Sequence, residues 1–164
     1  MNFARQVSHT LDTEHRGNLE LLGRVEQALA CAPRVGAGRE AEFARLCGAF
    51  VRLIEQDIDR HFGFEERELF PRMAQAGEGD IAELLQEEHD AIRAVAAEIL
   101  PLARTAAAGS LDERGFDALK RGALEMVERQ VAHIQKETMA LLPLLDDLLD
   151  DDLDRELAFA YASA

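Results

Sequence analysis

The sequence reads His61-Phe-Gly-Phe-Glu65-Glu-Arg-Glu-Leu69-Phe-Pro71 in one stretch and His133-Ile-Gln-Lys-Glu137-Thr-Met-Ala-Leu141-Leu-Pro143 in another, 72 residues later. Both follow the pattern His-x-x-x-Glu-x-x-x-Leu-x-Pro. A Glu-His pair also occurs upstream of each copy, as Glu14-His15 and Glu88-His89. Four of the five histidines therefore belong to a duplicated half-site, and this pattern predicts a centre for two metal ions.

The neighbours of the histidines indicate which way the imidazoles point. Residues four apart on a helix share a face, so each His-x-x-x-Glu would present an imidazole and a carboxylate side by side. Apolar residues at helical spacing flank all four histidines: Leu11, Leu19 and Leu22 around His15, Ile54 and Ile58 before His61, Leu85 and Ile92 around His89, and Met126 before His133. We therefore expect all four imidazoles to point into the protein interior.

Imidazoles and carboxylates buried together are costly unless a cation satisfies them. A single His-x-x-x-Glu is usually a surface pair, but two copies with matching flanks favour a metal site. Mixed nitrogen and oxygen ligands suit iron, manganese or zinc better than calcium or magnesium. The symmetric assignment predicts six ligands: His15 and His61 for one metal, His89 and His133 for the other, and Glu65 and Glu137 as bridges.

Apolar spacing and helix breakers predict an all-α fold. Alanine, leucine, glutamate and arginine dominate, and these are helix formers. Glycine-containing breaks leave four long amphipathic segments, which we expect to form an up-down-up-down four-helix bundle over residues 1–143. The predicted segments are about Thr10–Cys31, Arg39–Ala76, Asp80–Ala107 and Leu111–Leu142, and the third ends before Gly109. Ser110 and Glu113 are a candidate capping box for the fourth segment. Pro71 and Pro101 should kink or locally end the second and third segments.

Residues 144–164 form an acidic amphipathic tail. Leucines recur every fourth residue from Leu145 to Leu157 among seven acidic residues, which predicts one apolar helical face. A short fifth helix packed on the bundle is the favoured interpretation. The alternative is a docking helix for a protein partner or a homodimer.

Charge and composition limit the possible partners. The chain has 164 residues and a net charge of −14, which disfavours binding to nucleic acid or to an anionic membrane surface. The sequence shows no signal peptide and no apolar run long enough to span a membrane, so we expect a cytoplasmic protein. Cys31 and Cys47 form no Cys-x-x-Cys pair, and free buried thiols are favoured over a single disulfide.

Taken together, these motifs resemble the hemerythrin-like HHE cation-binding family over about Asp12 to Pro143. The likeness rests on Glu14-His15, His61-Phe-x-x-Glu65-Glu66, Leu69-Phe-Pro71, Glu88-His89 and His133-x-x-x-Glu137. It implies a four-helix bundle with a non-haem di-iron centre, in which two carboxylates and an oxo or hydroxo group bridge two iron ions. Manganese and zinc are the alternative metals.

The chain departs from oxygen-carrying hemerythrins at two points. A fifth histidine of that pattern is absent, because Arg93 lies four residues after His89 and Leu85 lies four before it. The last carboxylate is Glu137, four residues after His133, in place of an aspartate five residues after it. Fewer protein ligands leave more positions open for a small molecule.

The resemblance and these departures predict a protein that binds, senses or reduces oxygen, peroxide or nitric oxide, with oxidase or peroxidase activity as one form. The alternatives are an iron- or oxygen-responsive binding module without enzymatic activity, and metal storage or a structural metal site. No separate catalytic residue is predicted.

Other candidate residues are placed outside the ligand set. His9 is expected at the surface, and the glutamates adjacent to ligands (Glu14, Glu66 and Glu88) point about 100° away from them on a helix, although Glu66 could turn inward. A His89-Asp90 pair also occurs in helical metal phosphohydrolases, but His15 is followed by Arg16, so the repeat disfavours Asp90 as a ligand. Tyr161, the only tyrosine, has no predicted role.

Overall fold

The structure, a computed structural model, describes residues 3–30 and 38–163, and within these ranges all regular secondary structure is helical. The α-helices are α1 (Gln6–Ala30), α2 (Glu40–Gln56), α3 (Phe70–Gln75), α4 (Gly79–Ala107), α5 (Glu113–Lys136), α6 (Leu142–Leu148) and α7 (Asp151–Ala162). Three π-helical segments lie between them: Asp57–Phe62, Glu65–Leu69 and Glu137–Leu141. Cys31 and most of the first predicted loop lie outside the described residues.

Four long helical rods form the predicted bundle. The second rod runs from α2 through two π segments into α3, and the fourth runs from α5 through the third π segment into α6. The rods contact one another in the order α1, α2, α4, α5 and back to α1, which closes the bundle. The all-α prediction is confirmed.

Several predicted details differ from the structure. α1 begins at Gln6 and not near Thr10. The predicted capping box at Ser110 is wrong, because Asp112 is the N-cap of α5 and its side chain accepts a hydrogen bond from the Gly115 amide. Pro101 does not end α4, and the fourth rod continues past Pro143 to Leu148.

Two glycines end helices where the backbone must turn sharply. Gly77 and Gly109 have φ angles of 95° and 72°, in the left-handed region that side chains with a Cβ rarely adopt. Gly77 follows the second rod, and Gly109 follows α4.

The π-helical segments coincide with candidate ligands. His61 lies in the first π segment, Glu65 begins the second, and Glu137 begins the third. A π turn adds a residue to a helical turn and often marks a functional site. It changes the direction of the side chains that follow, which residue spacing alone does not reveal.

The tail packs on the bundle as a short fifth helix, α7. Its N-cap is Asp150, whose side chain accepts hydrogen bonds from the amides of Asp152 and Leu153. Leu157 and Tyr161 are buried against the bundle, while Phe159 is 76% exposed. The favoured interpretation of the tail is therefore observed.

The beginning of α1 is held by two aspartates of the tail region. Asp146 accepts hydrogen bonds from the amides of Ala4 and Arg5, at 2.8 and 3.1 Å. Asp154 accepts from the amides of Gln6 and Val7, at 2.8 and 3.0 Å. The unpaired amides of a helix N-terminus thus find their acceptors at the far end of the chain.

The apolar core is divided into two clusters along the bundle axis. The larger lies on α1, α2, α4 and α5 and includes Leu22, Phe50, Ile92, Ile99 and Met126. The smaller includes Leu11, Phe64, Leu69, Leu85, Leu141 and residues of the tail. On α1 and α4 the candidate ligand lies between residues of one cluster and those of the other, and on the second and fourth rods the candidate ligands lie where the two clusters meet.

None of the helices in the described ranges is long and apolar enough to cross a membrane.

Candidate metal centre

The structure brings all six predicted ligands into one buried layer at the middle of the bundle. Each rod supplies at least one of them, and each is at most 3% exposed. The six residues are His15 on α1, His61 and Glu65 on the second rod, His89 on α4, and His133 and Glu137 on the fourth rod.

The six side chains form two sets of four that share both carboxylates. In each set the candidate ligand atoms all lie within 4.8 Å of one another. The sets are His15, His61, Glu65 and Glu137, and Glu65, His89, His133 and Glu137. We refer to them as the first and second half-sites.

Each shared carboxylate presents one oxygen to each half-site. Glu65 places Oε1 3.1 Å from His61 Nε2 and Oε2 3.4 Å from His89 Nε2. Glu137 places Oε2 3.1 Å from His15 Nε2 and Oε1 3.0 Å from His133 Nε2. Glu65 and Glu137 therefore each contact both half-sites.

The carboxylate oxygens and imidazole nitrogens in this layer are better placed to bind a metal ion than to form hydrogen bonds with one another. The oxygens of Glu65 and Glu137 are buried, and although imidazole nitrogens lie close to them, no described residue makes a well-directed hydrogen bond to them. The Nε2 atoms of His15 and His61 face each other at 3.2 Å. Converging nitrogens beside unpaired carboxylate oxygens are satisfied by a cation, and this mixed donor set suits iron, manganese or zinc.

The Nδ1 atoms of three histidines contact carboxylates on the preceding rod. His61 Nδ1 lies 3.1 Å from Glu14, His89 Nδ1 lies 2.8 Å from Glu66, and His133 Nδ1 lies 3.0 Å from Glu88. An imidazole whose Nδ1 faces a carboxylate carries its hydrogen there, so Nε2 keeps the lone pair that a metal needs. The glutamates next to ligands are therefore hydrogen-bond partners of ligands on the neighbouring rod.

A positively charged side chain forms an ion pair with each of these three glutamates. Arg60 lies 2.6 Å from Glu14, and Arg93 lies 2.7 Å from Glu66. Lys136 pairs with Glu88. The charge-assisted pairs keep the carboxylates ionised and in place beside the imidazoles.

His15 is the exception to this arrangement. Its Nδ1 lies 3.4 Å from the hydroxyl oxygen of Thr138, which follows Glu137 as Glu66 follows Glu65. A neutral hydroxyl stands here where symmetry would place a carboxylate. The first half-site therefore has the less firmly held imidazole.

In the metal-free site the pKa values of His61, His89 and His133 are raised. Burial alone would lower the pKa of His133, but the Glu137 carboxylate raises it, to about 10. Burial alone would raise the pKa of Glu137, but His133 and the other imidazoles hold it well below its usual range. Protons thus compete with a metal for the same nitrogen atoms.

The two ends of the ligand layer differ in polarity. On one side lie four buried leucines, each four residues from a ligand, which we call the leucine layer: Leu11, Leu69, Leu85 and Leu141. On the other side Asn18 donates a 2.8 Å hydrogen bond to Asp57, and burial raises the pKa of Asp57 to about 6. Asp57 lies one turn before His61 and belongs to neither half-site.

The second half-site is packed by an aromatic ring. Phe62 is stacked on His89, with ring centroids 3.7 Å apart and an angle of 6° between the planes. Arg93, at the position of the missing fifth histidine, pairs with Glu66 and lies over Phe62. No described side chain replaces the absent imidazole in the second half-site.

Tyr161, for which the sequence predicts no role, lies beside the first half-site. Its hydroxyl bonds to Glu14 and lies 3.3 Å from His61 Nδ1. This contact comes from α7, far along the chain from the last ligand. The helical spacing of the tail could have shown that Tyr161 shares the buried face of Leu157, but not where that face docks.

Three other residues lie outside the centre. His9 is exposed on the first turn of α1, as expected. Asp90 is 69% exposed in its side chain and pairs with Arg93, so it belongs to neither half-site. Cys47 is a buried free thiol.

Comparison with known proteins agrees with this geometry. The model of the hemerythrin HHE cation-binding domain matches residues 6–145, which include all six candidate ligands and most of the chain. A search of curated protein sequences finds no match. The bundle, the paired half-sites and the family match lead to one conclusion: the chain belongs to the hemerythrin HHE cation-binding family.

Proposed function

We propose that the protein holds two iron ions and binds, senses or reduces a small molecule, namely oxygen, peroxide or nitric oxide. One observation carries the proposal: two buried half-sites share Glu65 and Glu137, and each carboxylate presents one oxygen to each half-site. The shared carboxylates would bridge the two ions, and the four histidines would complete the protein ligands.

Iron is the favoured metal because the resemblance to the hemerythrin HHE family implies a di-iron centre, and a donor set of imidazole nitrogen and carboxylate oxygen fits iron. Iron at the centre would supply reversible oxidation between its ferrous and ferric states. Each half-site offers two histidines and two shared carboxylates, fewer donors than a six-coordinate ion takes, so a small molecule has room to bind.

The protein's own residues orient the ligands and exclude water. Glu14, Glu66 and Glu88 fix three imidazoles with Nε2 turned to the centre. The leucine layer and Phe62 leave little space for bulk water beside the ligands. A centre of this kind favours small uncharged molecules over larger substrates.

Absorption spectra of the anaerobic ferrous protein test this function. The spectrum is recorded before air is added, after air is added, and after the air is replaced by argon. A visible band that appears with air and fades under argon supports a carrier or sensor, and lasting conversion to the ferric state supports an oxidase or peroxidase. Failure to bind iron would contradict the proposal and favour a zinc site.

Replacing Glu65 tests the bridging assignment. The Glu65→Ala variant should bind fewer than two iron ions per chain, because both half-sites lose a ligand. Metal content after gel filtration is the measurement, and Glu128→Ala, an exposed glutamate of α5, is the matched control. A Glu65→Ala variant that keeps two iron ions would contradict the proposed bridging role of Glu65.

A metal-responsive binding module is the second candidate, and the contact of Tyr161 with Glu14 and His61 favours it. Through this contact, a change at the centre would reach the surface of the tail. Identical unfolding of the protein with and without metal would exclude this candidate, because the fold would then be insensitive to occupancy.

A further inference from the structure

Tyr161 is the only described residue of α7 with a hydrogen bond to a candidate ligand or to a ligand's hydrogen-bond partner. It is 2% exposed, and its ring packs against Phe64 with centroids 4.6 Å apart. The guanidinium of Arg60 lies 4.5 Å from the centre of the ring. These contacts fix the hydroxyl in one position beside the first half-site.

The hydroxyl completes a set of donors around one carboxylate. Glu14 accepts hydrogen bonds from Arg60 on one oxygen and from His61 Nδ1 and Tyr161 on the other. The Tyr161 hydroxyl donates in this contact, because an ionised carboxylate can only accept. Glu14 is thereby held in the orientation that points His61 Nε2 at the centre.

The same helix is docked by contacts that do not involve the centre. Asp154 accepts hydrogen bonds from the amides of Gln6 and Val7, and Leu157 is buried in the smaller apolar cluster. Tyr161 lies one turn beyond Leu157 on the same face. The position of its hydroxyl therefore depends on whether α7 is docked.

Among the described residues, no side chain of α7 makes a hydrogen bond to the histidines of the second half-site or to their glutamate partners. These histidines contact Glu66 and Glu88, which are held by Arg93 and Lys136 on the bundle rods themselves. Within the described ranges, α7 thus makes a hydrogen-bonding contact with a histidine of the first half-site only.

We propose that Tyr161 is a positioning residue that couples the docking of α7 to metal binding at the first half-site, by way of Glu14 and His61. The inference rests on the proposed binding of two cations but not on iron as the metal. The coupling is reciprocal: docked α7 strengthens metal binding at His61, and bound metal strengthens the docking of α7. The tail would in this way report the occupancy of the centre at the protein surface.

Cobalt titration of the full-length Tyr161→Phe variant tests the first half of the coupling. The variant keeps the ring and loses only the hydroxyl. One of the two Co²⁺ binding steps, followed by visible absorption, should weaken by about 2- to 10-fold, the range expected for one net hydrogen bond, and the other should not change. Phe159→Leu, on the exposed face of α7, is the matched control and should bind Co²⁺ as the unmodified protein does.

Hydrogen exchange tests the reciprocal half. Saturation with Co²⁺ should slow the exchange of amides in Asp151–Ala162 of the unmodified protein, and should slow it less in Tyr161→Phe. A purely structural role for Tyr161 would speed exchange in the variant equally with and without Co²⁺, and that result overturns the coupling. An unmodified protein that binds no Co²⁺ overturns the metal centre itself, whereas normal binding with unchanged exchange of α7 overturns only the coupling.

Discussion

The residues that orient the histidines follow a cyclic arrangement around the bundle. Each is adjacent in sequence to a candidate ligand and contacts the imidazole of the next rod: Glu14 with His61, Glu66 with His89, Glu88 with His133, and Thr138 with His15. Three of these partners are carboxylates and one is a hydroxyl. The duplicated sequence pattern therefore includes the residues that contact the Nδ1 atoms of the histidines. Thr138 differs from the other three because it offers a hydroxyl instead of a carboxylate.

This arrangement predicts unequal effects of two substitutions. Glu88→Gln removes the charge behind His133 and should weaken metal binding by about 10- to 100-fold, as is typical for a hydrogen-bond partner of a ligand. Thr138→Val removes only a neutral hydroxyl at 3.4 Å from His15 and should have a much smaller effect. Co²⁺ binding isotherms measure both, and equal losses would contradict the proposed difference between the two partners.

Protonation of the imidazoles predicts how the metal-free protein responds to pH. Burial alone would lower the pKa of His133, but Glu137 raises it to about 10 in the folded protein. A group whose pKa is higher in the folded state stabilises the fold fully below its unfolded pKa of about 6.5 and loses this effect as the pH rises to about 10. Urea unfolding of the metal-free protein should therefore show decreasing stability over this pH range.

The metal-loaded protein is the control for this prediction. A bound metal replaces the protons on the nitrogens, so its stability should change less between pH 6.5 and 10. If the metal-free protein became more stable as the pH rose through this range, the assignment of protonated imidazoles would be wrong.

At the level of elements, the acidic tail has two roles that its sequence does not separate. Asp146 and Asp154 point toward the start of α1. Asp146 accepts hydrogen bonds from the amides of Ala4 and Arg5, which precede the helix, and Asp154 accepts from the amides of Gln6 and Val7 in its first turn. Other acidic residues of the tail, such as Asp147 and Asp152, are exposed. A surface for a protein partner or a second copy of the chain thus stays a prediction for the exposed residues, while the inward ones hold the fold.

Substitution of Asp154 tests the inward role. Asp154→Ala leaves the amides of Gln6 and Val7 without their acceptor and should lower the free energy of unfolding by about 0.5–2 kcal/mol, as for loss of a helix cap. Asp147→Ala removes an exposed aspartate of the same region and should change the free energy of unfolding little. Chemical denaturation measures both variants, and equal stability of the two would contradict the capping role.

For the whole molecule, the important feature is the polar layer between two apolar clusters. The larger cluster lies away from the tail and contains no candidate ligand. α4 and α5 approach closely there, because a Cβ added at Gly122 would lie 2.3 Å from Ile99 Cγ2. The bundle is therefore held on both sides of the centre and does not depend on metal alone.

Two glycine substitutions of opposite effect test this packing. Gly122→Ala should destabilise the protein by about 1–3 kcal/mol through overpacking against Ile99. Gly23→Ala, on α1 with no atom near the added Cβ, should stabilise it by up to about 1 kcal/mol because alanine favours the helix. Thermal unfolding is the measurement, and a stabilising Gly122→Ala would show that the close approach is absent.

The sequence was sufficient for the features that depend on helical periodicity. Apolar spacing around His15, His61, His89 and His133 predicted the bundle, and the same spacing predicted that these histidines and the two shared carboxylates converge in its interior. That they hold two metal ions is still a prediction, because geometry alone does not identify an ion.

Features that depend on tertiary contact could not be predicted. Asp112 rather than Ser110 caps α5, and residue type alone does not decide between them because both aspartate and serine favour the N-cap position. The π turns at His61 and Glu137 change side-chain direction without a sequence signal. Tyr161 reaches the centre only because α7 folds back on the bundle, and nothing in the tail specifies that direction.

The leucine layer has a consequence for which molecules reach the centre. Leu11, Leu69, Leu85 and Leu141 form a hydrocarbon barrier about one helical turn from the ligands. Apolar diatomic gases dissolve readily in hydrocarbon, whereas a hydrated anion must shed its water to enter it. We therefore expect the leucine layer to admit oxygen and nitric oxide more readily than anions such as superoxide and nitrite.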